Sequence, residues 1–133
     1  MERSLSVTRK PRVLIVEDAD LLLEVTIAAF GDAGYETVSA SDGEQALALL
    51  NGPTTIDLLL TDIRLPGSID GWDIAERARE ARPSLPVIYV TGYDNKAPRP
   101  VENSLLFLKP CRSMKLLDGA RSLGVGNGWE GLS

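Results

Sequence analysis

The hydrophobic residues of the chain fall into five short runs separated by longer, mixed stretches. Each run is rich in Val, Leu and Ile and ends at polar or turn-forming residues, which is typical of buried parallel strands. The stretches between the runs carry apolar residues at helical spacing, so the chain alternates strands and helices. The predicted strands are Val13–Val16, Tyr35–Ala40, Ile56–Leu60, Val87–Val90 and Leu105–Leu108.

The fourth helix of this alternation is predicted to be short or missing. It would occupy the segment between the fourth and fifth strands, which contains Pro98 and Pro100. A proline inside a helix costs about 3 kcal/mol, because it removes a hydrogen bond and clashes with the preceding turn. We therefore expect a loop or a single turn there.

The first helix is apolar on more than one side. Leu23 and Ile27 are four residues apart on a face expected to point outward. This face is either a docking surface for a partner or an exposed apolar surface without a function. The residues predicted to face the core are Leu22, Val25, Thr26, Ala29 and Ala33.

Composition indicates one soluble domain. The chain has 133 residues, of which 44% are hydrophobic and 25% charged. No apolar run can span a bilayer, and the amino terminus does not resemble a signal peptide, so we expect a cytoplasmic protein. A net charge of −5 argues against nucleic-acid binding. The predicted boundaries are a flexible lead (1–11), the domain (12–123) and a flexible glycine-rich tail (124–133).

Two residue types limit the possible chemistry. Cys111 is the only cysteine, which excludes an internal disulfide, and we interpret it as a packing residue. The chain has no histidine, so it cannot donate a phosphoryl group from phosphohistidine. It also lacks the usual general base of a nucleophilic triad.

Polar residues follow four of the predicted strands. Glu17 and Asp18 follow the first strand, Asp62 the third, Thr91 the fourth and Lys109 the fifth. The carboxyl ends of parallel strands meet at one edge of a doubly wound sheet, where ligands bind. Three carboxylates at one edge suit a hard cation such as Mg²⁺.

Lys109 and Thr91 could then bind phosphoryl oxygens beside Asp62 as the nucleophile. Taken alone, Asp62 could instead simply begin a turn.

Four motifs at these strand ends resemble the receiver domain of bacterial two-component response regulators, over residues 12–123. They read EDAD, TDIRLPG, VTGY and FLKP. The resemblance implies a CheY-like, flavodoxin-like α/β fold with five parallel strands in the order 2-1-3-4-5.

By the same resemblance, Asp62 accepts a phosphoryl group from a histidine kinase or a histidine phosphotransfer protein. Glu17, Asp18, Asp62 and the main-chain carbonyl of Arg64 bind Mg²⁺, Thr91 is the switch hydroxyl, and Lys109 contacts the phosphoryl group.

The sequence departs from the family pattern in three places. Many receivers have an aromatic switch residue three positions before the lysine, where this chain has Leu106, with Phe107 beside it on the opposite face. The loop after Asp62 is one residue longer than the common pattern, and the segment between Thr91 and Lys109 is shorter and broken by proline. The switch region around Thr91, Leu106 and Phe107 is therefore expected to be unusual.

We expect a stand-alone, monomeric or weakly dimeric receiver that signals to a downstream protein target by contact. It would have no enzymatic activity beyond its own phosphorylation and slow dephosphorylation. A receiver cut from a hybrid kinase and a degenerate, phosphorylation-independent interaction module remain alternatives. A flavodoxin-like cofactor binder is disfavoured, because Glu17 and Asp18 would repel a phosphate. An aspartyl phosphatase is also disfavoured, because its nucleophile is expected on the first strand.

Overall fold

A single parallel sheet forms the centre of the protein. The computed structural model describes residues 9–92 and 97–126. Within them the sheet has the order β2-β1-β3-β4-β5, which confirms the predicted topology. The strands are β1 (Arg12–Val16), β2 (Glu36–Ala40), β3 (Leu58–Asp62), β4 (Val87–Thr91) and β5 (Ser104–Leu108).

Two pairs of helices cover the sheet. Helices α1 (Asp20–Asp32) and α4 (Ser113–Ser122) pack together on one face, and α2 (Gly43–Asn51) and α3 (Gly71–Ala81) on the other. Alternate residues of each strand enter the two cores: Val13 and Ile15 contact the α1–α4 core, and Leu14 and Val16 the α2–α3 core. None of the helices in the described part of the chain is long and apolar enough to cross a membrane.

The connection from β4 to β5 has no helix in its described residues, 92 and 97–103. This agrees with the prediction from Pro98 and Pro100. Leu106 lies beside Tyr89 in the β4–β5 register, on the sheet face that α2 and α3 cover elsewhere. Leu106 and Leu108 are 43% and 67% exposed. The last strand is therefore left partly uncovered on that face.

The predicted orientation of α1 is wrong for four of its residues, although Thr26 is buried and Ala33 packs against the α1–α4 core as predicted. Leu23 and Ile27 pack against the α1–α4 core, whereas Leu22 and Val25 are 38% and 51% exposed. Phe30 determines which face of α1 is buried, because it is itself fully buried and meets the Tyr35 ring edge to face at a centroid distance of 5.0 Å. Residues four and seven positions before Phe30, which are Thr26 and Leu23, must share its face. The outward apolar residues of α1 are Leu21, Leu22 and Val25.

The packed chain extends past the predicted domain end at residue 123. Val125 is buried, and the Tyr35 hydroxyl donates a hydrogen bond of 2.8 Å to its carbonyl oxygen. Residues 124–126 therefore belong to the domain and not to a flexible tail. The rest of the predicted tail (127–133) and most of the predicted lead (1–8) lie outside the described residues.

Candidate phosphoacceptor site

The sheet brings five predicted site residues to one edge. Backbone hydrogen bonds continue just past the strand ends: Ile63 N–H donates to Val90 O at 3.1 Å, and Lys109 N–H to Thr91 O at 2.7 Å. On the other side of the edge, Glu17 N–H donates to Ala40 O at 3.1 Å. The positions that carry the side chains are therefore fixed by the sheet rather than by mobile loops.

Lys109 connects two of the carboxylates. Its Nζ lies 3.0 Å from Asp62 Oδ1 and 3.1 Å from Asp62 Oδ2, and 3.3 Å from Glu17 Oε1. Asp62 and Glu17 are buried, at 5% and 6% exposure, whereas the lysine side chain is 31% exposed. The arrangement places one cation against two largely desolvated anions.

The acidic residues fit a divalent cation. Glu17, Asp18 and Asp62 each offer a carboxylate oxygen, and the three oxygens lie within 4.8 Å of one another. Asp18 is exposed, so the cluster opens to solvent on one side. Hard oxygen ligands with room for water suit Mg²⁺ better than softer metals. The predicted contribution of the Arg64 main-chain carbonyl stays a prediction.

Burial and crowding change the ionisation of this site. Desolvation, followed by the neighbouring Glu17, raises the pKa of Asp62 from 3.8 to about 7, although Lys109 acts in the opposite direction. Partial burial acts to lower the pKa of Lys109, but the contacts of its ammonium group with Asp62 and Glu17 outweigh this effect, so the pKa is raised overall. The site therefore carries an excess of negative charge that a bound cation would neutralise.

Two residues near Asp62 were missed by the sequence reading. The Thr61 hydroxyl donates a 2.7 Å hydrogen bond to the Asp62 carbonyl oxygen. The backbone of Gly71, at the start of α3, packs against β3 so closely that a Cβ there would overlap the Asp62 carbonyl oxygen and lie 2.8 Å from Ile63 Cα. The spacing of Asp70 and Asp73, which form a capping box, is the sequence signal that could have located this helix start.

The three residues predicted to form the switch region lie at the ends of β4 and β5, and their role as a switch stays a prediction. Thr91 is buried at the end of β4, while Leu106 and Phe107 point to opposite faces. Phe107 packs against α4, where a Cβ on Gly119 would lie 3.0 Å from its ring. Tyr89 is fully buried, and its hydroxyl accepts a 3.0 Å hydrogen bond from Val101 N–H.

The connection after Thr91 is anchored to α3 by arginine. Arg99 pairs with Glu76 at 2.8 Å and with Asp73 at 3.1 Å. Arg79 donates a 2.7 Å hydrogen bond to Glu102 O. These contacts hold residues 99–102 along α3 without a helix of their own.

An apolar cleft of about 490 Å³, here called the α1–α4 cleft, opens beside Asp62 and Lys109. It lies between α1 and the start of α4, with sheet residues as its floor. Asp62 and Lys109 are among the residues that line it. The predicted docking residues Leu23 and Ile27 are not among the residues that line it. Its apolar walls and floor include Ile15, Leu22, Val25, Leu60, Val90, Cys111 and Leu116.

Comparison with known proteins identifies the family. The response regulator receiver domain model matches residues 13–104, so the chain belongs to this family. A solved response regulator receiver protein from Sinorhizobium medicae superposes with a TM-score of 0.82 at 31% identity, covering 86% of this chain and 94% of that one. The resemblance inferred from the four motifs is confirmed.

Two curated relatives are much longer than the matched region. The transcriptional regulatory protein AruR of Pseudomonas aeruginosa is 32% identical over 85% of this chain, and the aligned region spans 49% of AruR. The sensor histidine kinase RcsC of Escherichia coli K12 is 34% identical over 59% of this chain, which corresponds to 8% of RcsC. Related receiver domains thus occur within both a transcriptional regulator and a histidine kinase.

Proposed function

We propose that the protein is a phosphoacceptor in a two-component signalling system and that Asp62 receives the phosphoryl group. The contact of Lys109 Nζ with both Asp62 carboxylate oxygens, within a cluster of three carboxylates, carries this proposal. A lysine beside a carboxylate nucleophile can hold a phosphoryl oxygen once the group has been transferred.

Each side chain has a chemical task in this proposal. An Asp62 carboxylate oxygen attacks phosphorus, the P–N bond of a phosphohistidine breaks, and its electron pair returns to the imidazole nitrogen, which takes up a proton. Lys109 then moves from the free carboxylate to a phosphoryl oxygen, and the Thr91 hydroxyl donates to another. Glu17, Asp18 and Asp62 would hold Mg²⁺, which when bound offsets the charge of the phosphoryl oxygens.

The phosphohistidine that supplies the phosphoryl group lies outside these 133 residues, because they contain no histidine. We propose a histidine kinase or a histidine phosphotransfer protein, in keeping with the family to which the chain belongs. The donor would dock on the large exposed apolar residues of α1, which are Leu21, Leu22 and Val25. These residues take the place of the predicted Leu23 and Ile27. A downstream protein target would read the phosphorylated form.

The chemistry can be tested with acetyl phosphate, a small phosphoryl donor, by intact mass spectrometry. With Mg²⁺, the wild type should gain one phosphoryl group, and Asp62→Asn should gain none. Asp118→Asn is the matched control, because this carboxylate is exposed on α4 and contacts only Arg121 among the described salt bridges. EDTA should abolish labelling of the wild type.

The same experiment distinguishes the proposed phosphoacceptor from a phosphorylation-independent interaction module. A wild type that stays unlabelled under these conditions would refute phosphorylation and leave a phosphorylation-independent interaction module. Labelling that survives in Asp62→Asn would place the acceptor elsewhere.

A further inference from the structure

We propose that Thr61 is a positioning residue for Mg²⁺, because its hydroxyl fixes the backbone through which β3 reaches Arg64, the predicted main-chain ligand. This role rests on the proposed function and adds to it a side chain outside the set of carboxylates, lysine and switch hydroxyl. It gives a task to the 2.7 Å hydrogen bond that the Thr61 hydroxyl donates to the Asp62 carbonyl oxygen.

Thr61 carries a hydroxyl into an apolar part of the molecule. Its side chain is fully buried, and strand alternation places it on the sheet face of Leu59 and Ile63, which pack in the α2–α3 core. A valine has nearly the same shape and would fill this position without burying a polar group. The hydroxyl is therefore explained by the carbonyl that it binds and not by packing.

Hydrogen bonds fix the backbone that directly follows Thr61. Ile63 N–H donates to Val90 O at 3.1 Å, and Ile63 O accepts a bond of 2.8 Å from Gly71 N–H. The backbone of Gly71 also packs against the Asp62 carbonyl oxygen, to which the Thr61 hydroxyl donates. The backbone is thus held from the Asp62 carbonyl to the Ile63 carbonyl, which is the last one before the predicted ligand.

The loop that begins at Arg64 is more open than the strand end before it. Arg64, Pro66, Gly67 and Ser68 are all exposed. A backbone ligand that must first be ordered weakens cation binding by the conformational entropy that is lost. Fixing the peptide groups directly before Arg64 lowers this cost, because they leave its carbonyl fewer orientations.

The Mg²⁺ affinities of two substitutions at Thr61 test the inference. Affinity is measured from the rise of the urea midpoint with Mg²⁺ concentration, since a cation that binds only the folded protein stabilises it by an amount set by its Kd. Thr61→Val, which removes the hydroxyl and keeps the shape, should raise the Kd for Mg²⁺ by about fivefold or more. Thr61→Ser, which keeps the hydroxyl, should stay within about twofold of the wild-type Kd.

Thr26→Val is the matched control. Thr26 is also buried, and its hydroxyl also donates to a backbone carbonyl, that of Leu22, at 2.9 Å. The same exchange of atoms there removes the same kind of hydrogen bond from α1, away from the path between β3 and Arg64. It should leave the Kd for Mg²⁺ at the wild-type value, whatever its effect on stability in EDTA.

Labelling by acetyl phosphate separates this inference from the proposed function. At Mg²⁺ concentrations well below the Kd, Thr61→Val should be labelled about fivefold more slowly than the wild type, and saturating Mg²⁺ should restore the wild-type rate. A purely structural defect would lower the rate at saturation as well. If no protein is labelled while the Kd values differ as expected, the phosphoacceptor function is refuted and the role of Thr61 in Mg²⁺ binding stands.

Four results would overturn the inference. Thr61→Val could bind Mg²⁺ with the wild-type Kd. Thr61→Ser could weaken binding as much as Thr61→Val, which would assign the effect to packing. Thr26→Val could weaken binding equally, which would assign it to a general loss of stability. The wild type could show no stabilisation by Mg²⁺, which would remove the cation that Thr61 is proposed to serve.

Discussion

Replacing Asp62 with Asn should stabilise the metal-free protein, although it removes the proposed phosphoacceptor. The pKa of Asp62 is about 7 in the folded protein, whereas the ordinary value for an Asp side chain is 3.8. A difference of about 3 pKa units at about 1.4 kcal/mol per unit gives a cost of about 4 kcal/mol for keeping this carboxylate ionised in the fold. This is an upper limit, because Asn also changes the contacts of Lys109.

The sign of the pH dependence follows from the direction of the shift. Below about pH 4 the carboxyl is protonated in both the folded and unfolded states, so the cost is absent. Between about pH 4 and 7 only the unfolded state loses the proton, and the free energy of unfolding of the wild type falls. Above about pH 7 the whole cost is present. The advantage of Asp62→Asn should therefore be larger at pH 8 than at pH 5, with upper limits of about 4 kcal/mol and about 2 kcal/mol respectively.

Urea unfolding in EDTA at these two pH values measures the effect, with the fluorescence of buried Trp72 as a probe. Asp118→Asn serves as the control for removing an exposed carboxylate. Adding Mg²⁺ should stabilise the wild type more than Asp62→Asn and reduce the difference between them, because the cation binds the folded wild type. Equal stabilities of wild type and variant at pH 8, or the same difference at pH 5 and pH 8, would refute the reasoning.

Three further substitutions test the packing and hydrogen bonding of the fold. Gly71→Ala should lower the free energy of unfolding by about 1–3 kcal/mol and slow labelling by acetyl phosphate, because the new methyl group meets the Asp62 carbonyl. Gly31→Ala, where no neighbouring atom lies within 4 Å, should instead raise it by up to about 1 kcal/mol in the same urea titration. Tyr89→Phe should cost about 1 kcal/mol, since Val101 N–H loses its acceptor, and an unchanged urea midpoint would contradict this.

The strands and the site residues could be predicted because both follow from local patterns. Strands β1, β3 and β4 are covered on both faces, so they appear in the sequence as continuous apolar runs. Once the strands are parallel, the residues after them must meet at one edge. Glu17 and Asp62 are therefore neighbours in space because each directly follows or ends a parallel strand, which can be recognised from the sequence.

The face of α1 could not be predicted in the same way. Leu22 and Val25, as well as Leu23 and Ile27, fit a helical spacing, so the apolar pattern did not select one side. The choice depends on Phe30, whose burial against Tyr35 is a tertiary contact. The error also affected the predicted docking surface. It placed that surface on Leu23 and Ile27, which pack against the core, and did not identify Leu22 and Val25 as exposed residues beside the cleft.

The connection between β4 and β5 shows a different limit. Pro98 and Pro100 correctly predicted that the described residues of this connection, 92 and 97–103, form no helix, but not what holds the segment instead. Arg99 binds Asp73, and Asp73 also closes the capping box with Asp70 at the start of α3.

The helix that begins at Gly71 packs directly against the Asp62 backbone. The two segments that leave the carboxyl edge of the sheet, one after Asp62 and one after Thr91, are thus joined at the same end of α3. A rearrangement of either segment must alter contacts at this helix start, so the structure supplies a connection between them that does not depend on a helix between β4 and β5 or on a switch aromatic.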